Sequence, residues 1–165
     1  MKCTKMKIRL QTQDDAGKVD ALLDLTFGED RFNKAAYALR EGVLAIDDLS
    51  FVISDGEQLI GTLRFWPINI GGKQSLLLGP IAIDPKKQGS GFGINLMKHG
   101  LMTAEEIGYQ SVVLVGDETY YQKIGFSRAL ATNLIMEGQH DQSRLLAQEL
   151  VPGALKDIQG QITKT

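Results

Sequence analysis

"LGPIAIDPKKQGSGFGINLMKHGL", residues 78–101, decides how this chain is read. It joins the end of the most continuously apolar run in the protein, SLLLGPIAI at residues 75–83, to a stretch with helical spacing. Ile94, Met97, Leu101 and Ala104 recur at i, i+3, i+7 and i+10, the apolar stripe of an amphipathic helix that Gly108 should end. Between strand and helix, Gly89, Gly91 and Gly93 occupy alternate positions. Glycine gives up the most backbone entropy in a helix, so three at a helix entrance imply that side chains there would obstruct something. The N–H groups of a first helical turn point outward, and the helix dipole adds partial positive charge. Bare glycines let a phosphate lie against those amides. Pyrophosphate binding is one reading of the loop, and a merely flexible turn is the other.

Two nucleotide patterns fail on these residues. A dinucleotide fingerprint, G-x-G-x-x-G, starting at Gly89 would need its third glycine where Ile94 stands. A P-loop would run into Gly-Lys-Ser/Thr, but Gly93 is followed by Ile94 and Asn95, and Gly72-Lys73 by Gln74. The apolar run before the loop has its own anomaly. Its continuity predicts a central strand buried on both faces. Gly79-Pro80 stands in its middle, and proline cannot donate to a ladder, so the strand must break or bulge there. Such a local conflict in the best core strand points to a functional site.

Outward from this segment the pattern is that of one mixed α/β domain spanning residues 1–165. Period-two alternation from Met6 to Leu10 predicts a first strand. Asp14 and Asp15 supply N-cap chemistry for a helix whose apolar face is Val19, Leu22, Leu23 and Leu25 to Phe27. A second helix is expected from Asp30 to Glu41, ending at Gly42. Asp55-Gly56 and Gly71-Gly72 mark tight turns between β-rich runs, predicting neighbouring antiparallel strands. SVVLV (111–115) reads as a short buried strand. A short helix follows, capped by Asp117 or Thr119 and closed by Gly125. LIM (134–136) and LLAQELV (145–151) read as two last strands, and nothing is legible in the tail from Pro152.

Composition narrows the function classes. The chain has 165 residues, 43% hydrophobic and 23% charged, enough for one domain with a substantial core. Its formal net charge of -2 provides no basic field for nucleic acid or an anionic membrane. Cys3 is the only cysteine, so no intramolecular disulfide forms and a reducing, cytoplasmic setting is expected. His99 and His140 stand far apart, and no metal-ligand spacing is present. MKCTKMKIRL lacks the apolar core of a signal peptide, and no run reaches transmembrane length.

The segment of residues 76–126 resembles the GCN5-related N-acetyltransferases (GNAT). Their cofactor loop reads Gln/Arg-x-x-Gly-x-Gly/Ala, matched here by Gln88, Gly91 and Gly93, after a strand and exit turn like IAIDP. Downstream, YYQKIGF is similar to the family's Tyr-x-x-x-Gly-Phe element, with Tyr121, Gly125 and Phe126 in those places. The resemblance implies a mixed, mostly antiparallel sheet flanked by helices and splayed at a cofactor wedge. It implies acetyl-CoA as acetyl donor, with the pantetheine arm pairing with backbone at Ile81, Ala82 and Ile83. The pyrophosphate would lie on Gln88, Gly89, Ser90, Gly91, Phe92 and Gly93. The amide freed by the Gly-Pro break would bond the arm as a pseudo-strand, and the N–H of Ile83 is a candidate donor to the thioester oxygen.

Tyr121 falls at the family's general-acid position. A phenol with pKa about 10 is protonated at neutral pH and can donate to a thiolate whose acid has pKa about 8.5. The competing reading is that Tyr121 only packs, or that Tyr120 is the exposed ring. The family's central-strand glutamate has no counterpart in residues 76–83, which leaves Asp84, Glu29, Asp30 or relayed water to deprotonate the amine. The Asn that many members carry before the tyrosine is absent from GDETY, which leaves Asp117 or Glu118 to do its job or the job undone, and Asp117 reads more readily as a helix cap. A catalytically silent acyl-CoA-binding relative, or a transferase of longer acyl chains, is the alternative. The acceptor, a small-molecule or peptide amine, would be chosen by residues 26–48 and 131–143, whose charges show no dominant sign. The resemblance also makes a homodimer an expectation. Trp66 beside Pro67 has two readings, the lining of an acceptor pocket or core, and core is preferred for a lone Trp in a strand. Met97, Met102 and Met136 read as core, and His99 as solvated.

Overall fold

The computed structural model describes residues 6–28 and 35–165. Their strands form one eight-stranded sheet: β1 (Met6–Leu10), β2 (Ser50–Asp55), β3 (Gln58–Ile70), β4 (Lys73–Ile83), β5 (Ser111–Val115), β6 (Leu134–Ile135), β7 (Leu145–Glu149) and β8 (Gly160–Lys164). The main path runs β1-β2-β3-β4-β5-β7, with β8 beside the second half of β3 and β6 beside β8. Pairing is antiparallel except between β4 and β5 and between β6 and β8. Among the described residues four helices accompany it: α1 (Ala16–Phe27), α2 (Ala35–Arg40), α3 (Phe92–Ile107) and α4 (Glu118–Tyr121). No helix among the described residues is long and apolar enough to cross a membrane.

Side-chain alternation divides the strands between two faces. Phe51, Ile53, Leu63, Phe65, Leu76 and Leu78 turn to one face and pack with Leu96, Met97, Leu101 and Ala104 of α3. Val52, Leu59 and Ala82 turn to the other and meet Val19, Leu22 and Leu23 of α1. Further along that second face, Leu77, Val113 and Ala147 pack with Ile68, Met136 and Ile162, and Leu39 of α2 covers them. The sheet is therefore buried on both faces, as the unbroken apolar run in β4 predicted. α3 lies close to β3. A Cβ on Gly100 would stand 2.6 Å from the Phe65 ring.

The predicted strands, both hairpins and the helix ends agree with the structure. Gly71 and Gly72 have φ of 55° and 85°, the paired left-handed residues that a two-residue hairpin requires. Several expectations are corrected. β8 was not legible in the tail. Leu25, assigned to the apolar face of α1, is 65% exposed, and Met102, assigned to the core, is 55% exposed. His99 is half-buried, its ring edge-on to Phe51 at 5.1 Å, because it sits on the side of α3 that faces β2. The helix expected over 30–41 is seen as α2, and its first residues lie outside the described ones, as do Cys3, Glu29 and Asp30. Asp15 is less a cap of α1 than a tie. It accepts the Thr12 N–H at 2.8 Å and a bidentate pair from Arg9 at 2.7 and 2.9 Å. The guanidinium holds its carboxyl well below the usual carboxylate range.

Candidate active site

The Gly79-Pro80 break is a bulge. Leu78 stands opposite Phe65 and Ile81 opposite Leu63, so two residues of β4 face the single Arg64 of β3. Beyond it β4 leaves β5. The parallel pairing covers only Leu76 with Val112 and Leu77 with Val113. Residues 78–83 thus have β3 on one side and no ladder partner from β5 on the other.

Which backbone groups face the gap follows from alternation. The Asp84 N–H donates to the Ile60 carbonyl at 2.8 Å, in register with Thr62 opposite Ala82. In an antiparallel pair, residues alternate between bonding the partner and pointing away. Ala82 therefore directs its N–H and C=O at β3, and its side chain is buried against α1. Ile81 and Ile83 direct theirs into the gap. The Ile83 carbonyl receives the Gln88 Nε2 at 3.1 Å, which ties the loop's first residue to the strand's end.

The glycine loop closes one end of this gap. Gly89 and Gly91 have φ of 84° and 83°, with Gly91 at the N-cap of α3 and open space where each Cβ would stand. Ser90 is exposed, and Phe92, the first residue of α3, packs half-buried on the main core. Gly93 is crowded instead. A Cβ there would meet the Tyr120 hydroxyl at 3.2 Å and the Ile83 side chain at 3.6 Å. Open amides at a 16-residue helix's N-terminus, continuous with an unpaired strand edge, fit a ligand with an anionic head and an extended amide-bearing arm. Acetyl-CoA has both.

At the other end the gap opens into a cavity of about 760 Å³. Its walls include Leu78, Gly79, Pro80 and Ile81 of β4, Leu114 and Val115 of β5, and Tyr121. α4 positions that tyrosine. Asp117 caps the helix by accepting the Thr119 N–H at 3.2 Å, which agrees with the cap reading. The ring of Tyr121 lies against Gly116, edge-on to Tyr120 at 4.9 Å and to Phe126 at 6.4 Å. Burial pushes the phenol's pKa up and Tyr120 adds to the rise, while Arg144 opposes it. The two tyrosines divide: Tyr121 faces the cavity, and Tyr120 reaches the glycine loop.

Trp66 was expected in the core. It is half-buried and lines the cavity, with its Nε1–H donating to the Gly79 carbonyl at 2.6 Å and Arg40 over its ring at 5.9 Å. No sequence signal indicated this contact, because the bulge alone turns that carbonyl toward the indole. Asp84 accepts the Lys86 N–H at 2.9 Å as the cap of a short 3-10 turn. Of the remaining walls, Phe27, α2 with Glu41 and Gly42, and residues 138–140 lie within the two segments expected to choose the acceptor, whereas Asp20, Leu23, Arg64 and Arg144 lie outside them.

A mixed sheet that splays beside a glycine loop and opens on a cavity defines the acetyl-CoA-dependent acyltransferase architecture. Comparison with known proteins agrees. Residues 47–128 match the family model described as an acetyltransferase (GNAT) domain. The chain is 34% identical to the N-acetyltransferase YhbS of Escherichia coli (strain K12), over 94% of this chain and 93% of that one. The crystal structure of E. coli YhbS in complex with CoA superposes with a TM-score of 0.85 at 30% identity, covering 100% of this chain and 92% of that one. A GNAT acetyltransferase from Brucella melitensis, crystallised with acetyl-CoA, shares the fold at a TM-score of 0.74 and 24% identity, over 99% and 97% of the two chains. This chain belongs to the GNAT family and is an N-acetyltransferase, and acetyl-CoA is the donor on which that family draws.

Proposed function

We propose that the chain transfers acetyl directly from acetyl-CoA to a primary amine seated in the cavity, with Tyr121 as proton donor. The observation that carries this reading is the position of Tyr121, at the junction of the cavity with the splay between β4 and β5. In the proposed arrangement the amides of residues 88–93 hold the pyrophosphate, and the outward backbone of Ile81 and Ile83 pairs with the pantetheine arm. Ile83 lies at the loop end of the gap and Ile81 at the cavity end. The N–H aimed at the thioester oxygen is therefore that of Ile81, one pleat further along than the sequence indicated.

Bound acetyl-CoA supplies an activated acetyl group: the C–S bond breaks as the acceptor nitrogen bonds to the carbonyl carbon. The chain's own part is to position the two partners and to move a proton. Holding reactants in line contributes large effective molarity. The Tyr121 hydroxyl gives its proton to the departing sulfur and recovers one released from the acceptor nitrogen. Burial favours the neutral phenol, so Tyr121 is loaded for donation at neutral pH. Asp84 and Asp117 are both engaged as caps, and water relay to bulk is the route by which the amine loses its proton.

The test is calorimetric titration with acetyl-CoA, CoA, ATP and NAD, followed by turnover of an amine panel with wild type and Tyr121→Phe. Binding of the CoA compounds alone, with kcat lowered about 10²-fold or more in the variant, is expected for a lost general acid. Equal binding of ATP and NAD would refute the loop assignment, and an unchanged kcat would refute the role of Tyr121.

A further inference from the structure

The sequence showed no dominant charge in the acceptor-selecting segments, yet the fold brings charges from outside them to the cavity wall. Among the described residues the cavity wall carries Arg40, Arg64 and Arg144 against Asp20 and Glu41, a net of one positive charge. The chain as a whole has a net charge of -2, so the cavity is opposite in sign to the molecule around it.

Placement matters more than the count. Arg64 is the single β3 residue opposite the Gly79-Pro80 bulge, beside the reacting end. Leu63 and Phe65 turn toward α3, so Arg64 turns with Trp66 to the cavity face, where its Nε donates to the Gln11 Oε1 at 3.2 Å. Arg144 approaches from the segment before β7, near enough to Tyr121 to act on its phenol. Arg40 covers Trp66, which itself holds the Gly79 carbonyl. Asp20 on α1 and Glu41 just past α2 are exposed, as is Arg144, whereas Arg40 and Arg64 are half-buried.

We propose that the acceptor is a primary amine that also bears an anionic group, a carboxylate or phosphate, which Arg64 and Arg144 bind beside the reacting end of the cavity. This rests on the acetyltransferase reading above. A planar guanidinium presents donors in a fork that matches either oxyanion. The same charges select against polyamines and lysine-rich peptides, whose extra cations meet like charge.

The test compares matched amines by acetyl-CoA-dependent thiol release: β-alanine with its amide, phosphoethanolamine with ethanolamine, and putrescine as the cationic member. The anion-bearing member of a pair is expected to show kcat/KM about tenfold or more above its neutral partner, the scale of one charge-assisted contact. The two pairs distinguish carboxylate from phosphate. Arg64→Gln and Arg144→Gln should each raise KM for the preferred amine about tenfold while acetyl-CoA affinity stays at the wild-type value, with Arg→Lys restoring part of the loss. Two independent variants guard against one that fails to fold, and retained acetyl-CoA binding reports folding. No turnover of any anion-bearing amine, or a neutral or cationic partner used equally well, overturns the proposal. Loss of acetyl-CoA binding in the wild type would instead refute the cofactor site on which it rests.

Discussion

Gly116→Ala is the most informative single perturbation of the proposed chemistry. Gly116 lies between the end of β5 and the Asp117 cap, so it fixes where α4 begins. It is buried, and its φ lies outside the left-handed region, so alanine carries no backbone penalty there. The obstacle is Tyr121: a Cβ at 116 would fall against Cε2 and Cδ2 of its ring, far inside contact distance. The main chain is held, because the Gly116 N–H donates to the Arg144 carbonyl at 2.9 Å. The ring must therefore yield, by about 1 Å to restore ordinary contact. A misplacement of about 1 Å can cost about 10²-fold in rate, and overpacking of this kind costs about 1–3 kcal/mol of stability. We expect kcat to fall about 10²-fold with acetyl-CoA affinity changed less than about threefold, since the glycine loop and the edge of β4 are untouched. Combined with Tyr121→Phe, the alanine should add little further loss, because both remove the same proton transfer. Measured by steady-state turnover and calorimetry, a Gly116→Ala enzyme with wild-type kcat would refute the requirement for Tyr121 in its observed place.

Gly91→Ala forces a Cβ into left-handed backbone at the α3 N-cap, and should cost about 1 kcal/mol of stability and weaken acetyl-CoA binding, read by thermal melts and titration. Trp66→Phe removes the donor to the Gly79 carbonyl and should lower stability by about 1 kcal/mol, measured by denaturant unfolding, with kcat lowered more than acetyl-CoA affinity. Because burial raises the Tyr121 pKa, the phenol keeps its proton beyond its ordinary value of about 10, and kcat should show no basic decline between pH 8 and 10. Asp15→Asn removes the charge and one of the two oxygens that pair with Arg9, and should cost about 1 kcal/mol at pH 7. The Asp15 carboxyl has its pKa lowered on folding, so its contribution is present above the unfolded value of about 3.9 and is lost as pH falls through the folded one. The difference between variant and wild type should accordingly shrink in acid melts.

Much of the fold was written locally. The period-two strands, the Gly71-Gly72 hairpin and the stripe of α3 are each fixed by neighbours in sequence, and each stands where it was expected. β8 was not, because only Ile162 in GQITK is buried. That segment becomes a strand because β3 and β6 offer it edges, which no feature of residues 160–164 announces. The same holds for His99 on Phe51 and the exposure of Leu25 and Met102, which depend on where a helix rolls against the sheet rather than on its periodicity.

The candidate site divides in the same way. The sequence by itself determined the glycine loop, the broken strand and a tyrosine four residues before Gly125, since backbone conformation and helix capping are short-range. Only the tertiary structure decided which β4 amides face the gap, because that parity is set by the register against β3 across the bulge. It also decided that Tyr121 rather than Tyr120 meets the cavity. And it gathered Arg40, Arg64 and Arg144, 24 to 104 positions apart in the chain, on the wall of that cavity. Charges that look balanced along a chain acquire a sign only when folding chooses which of them face the same space.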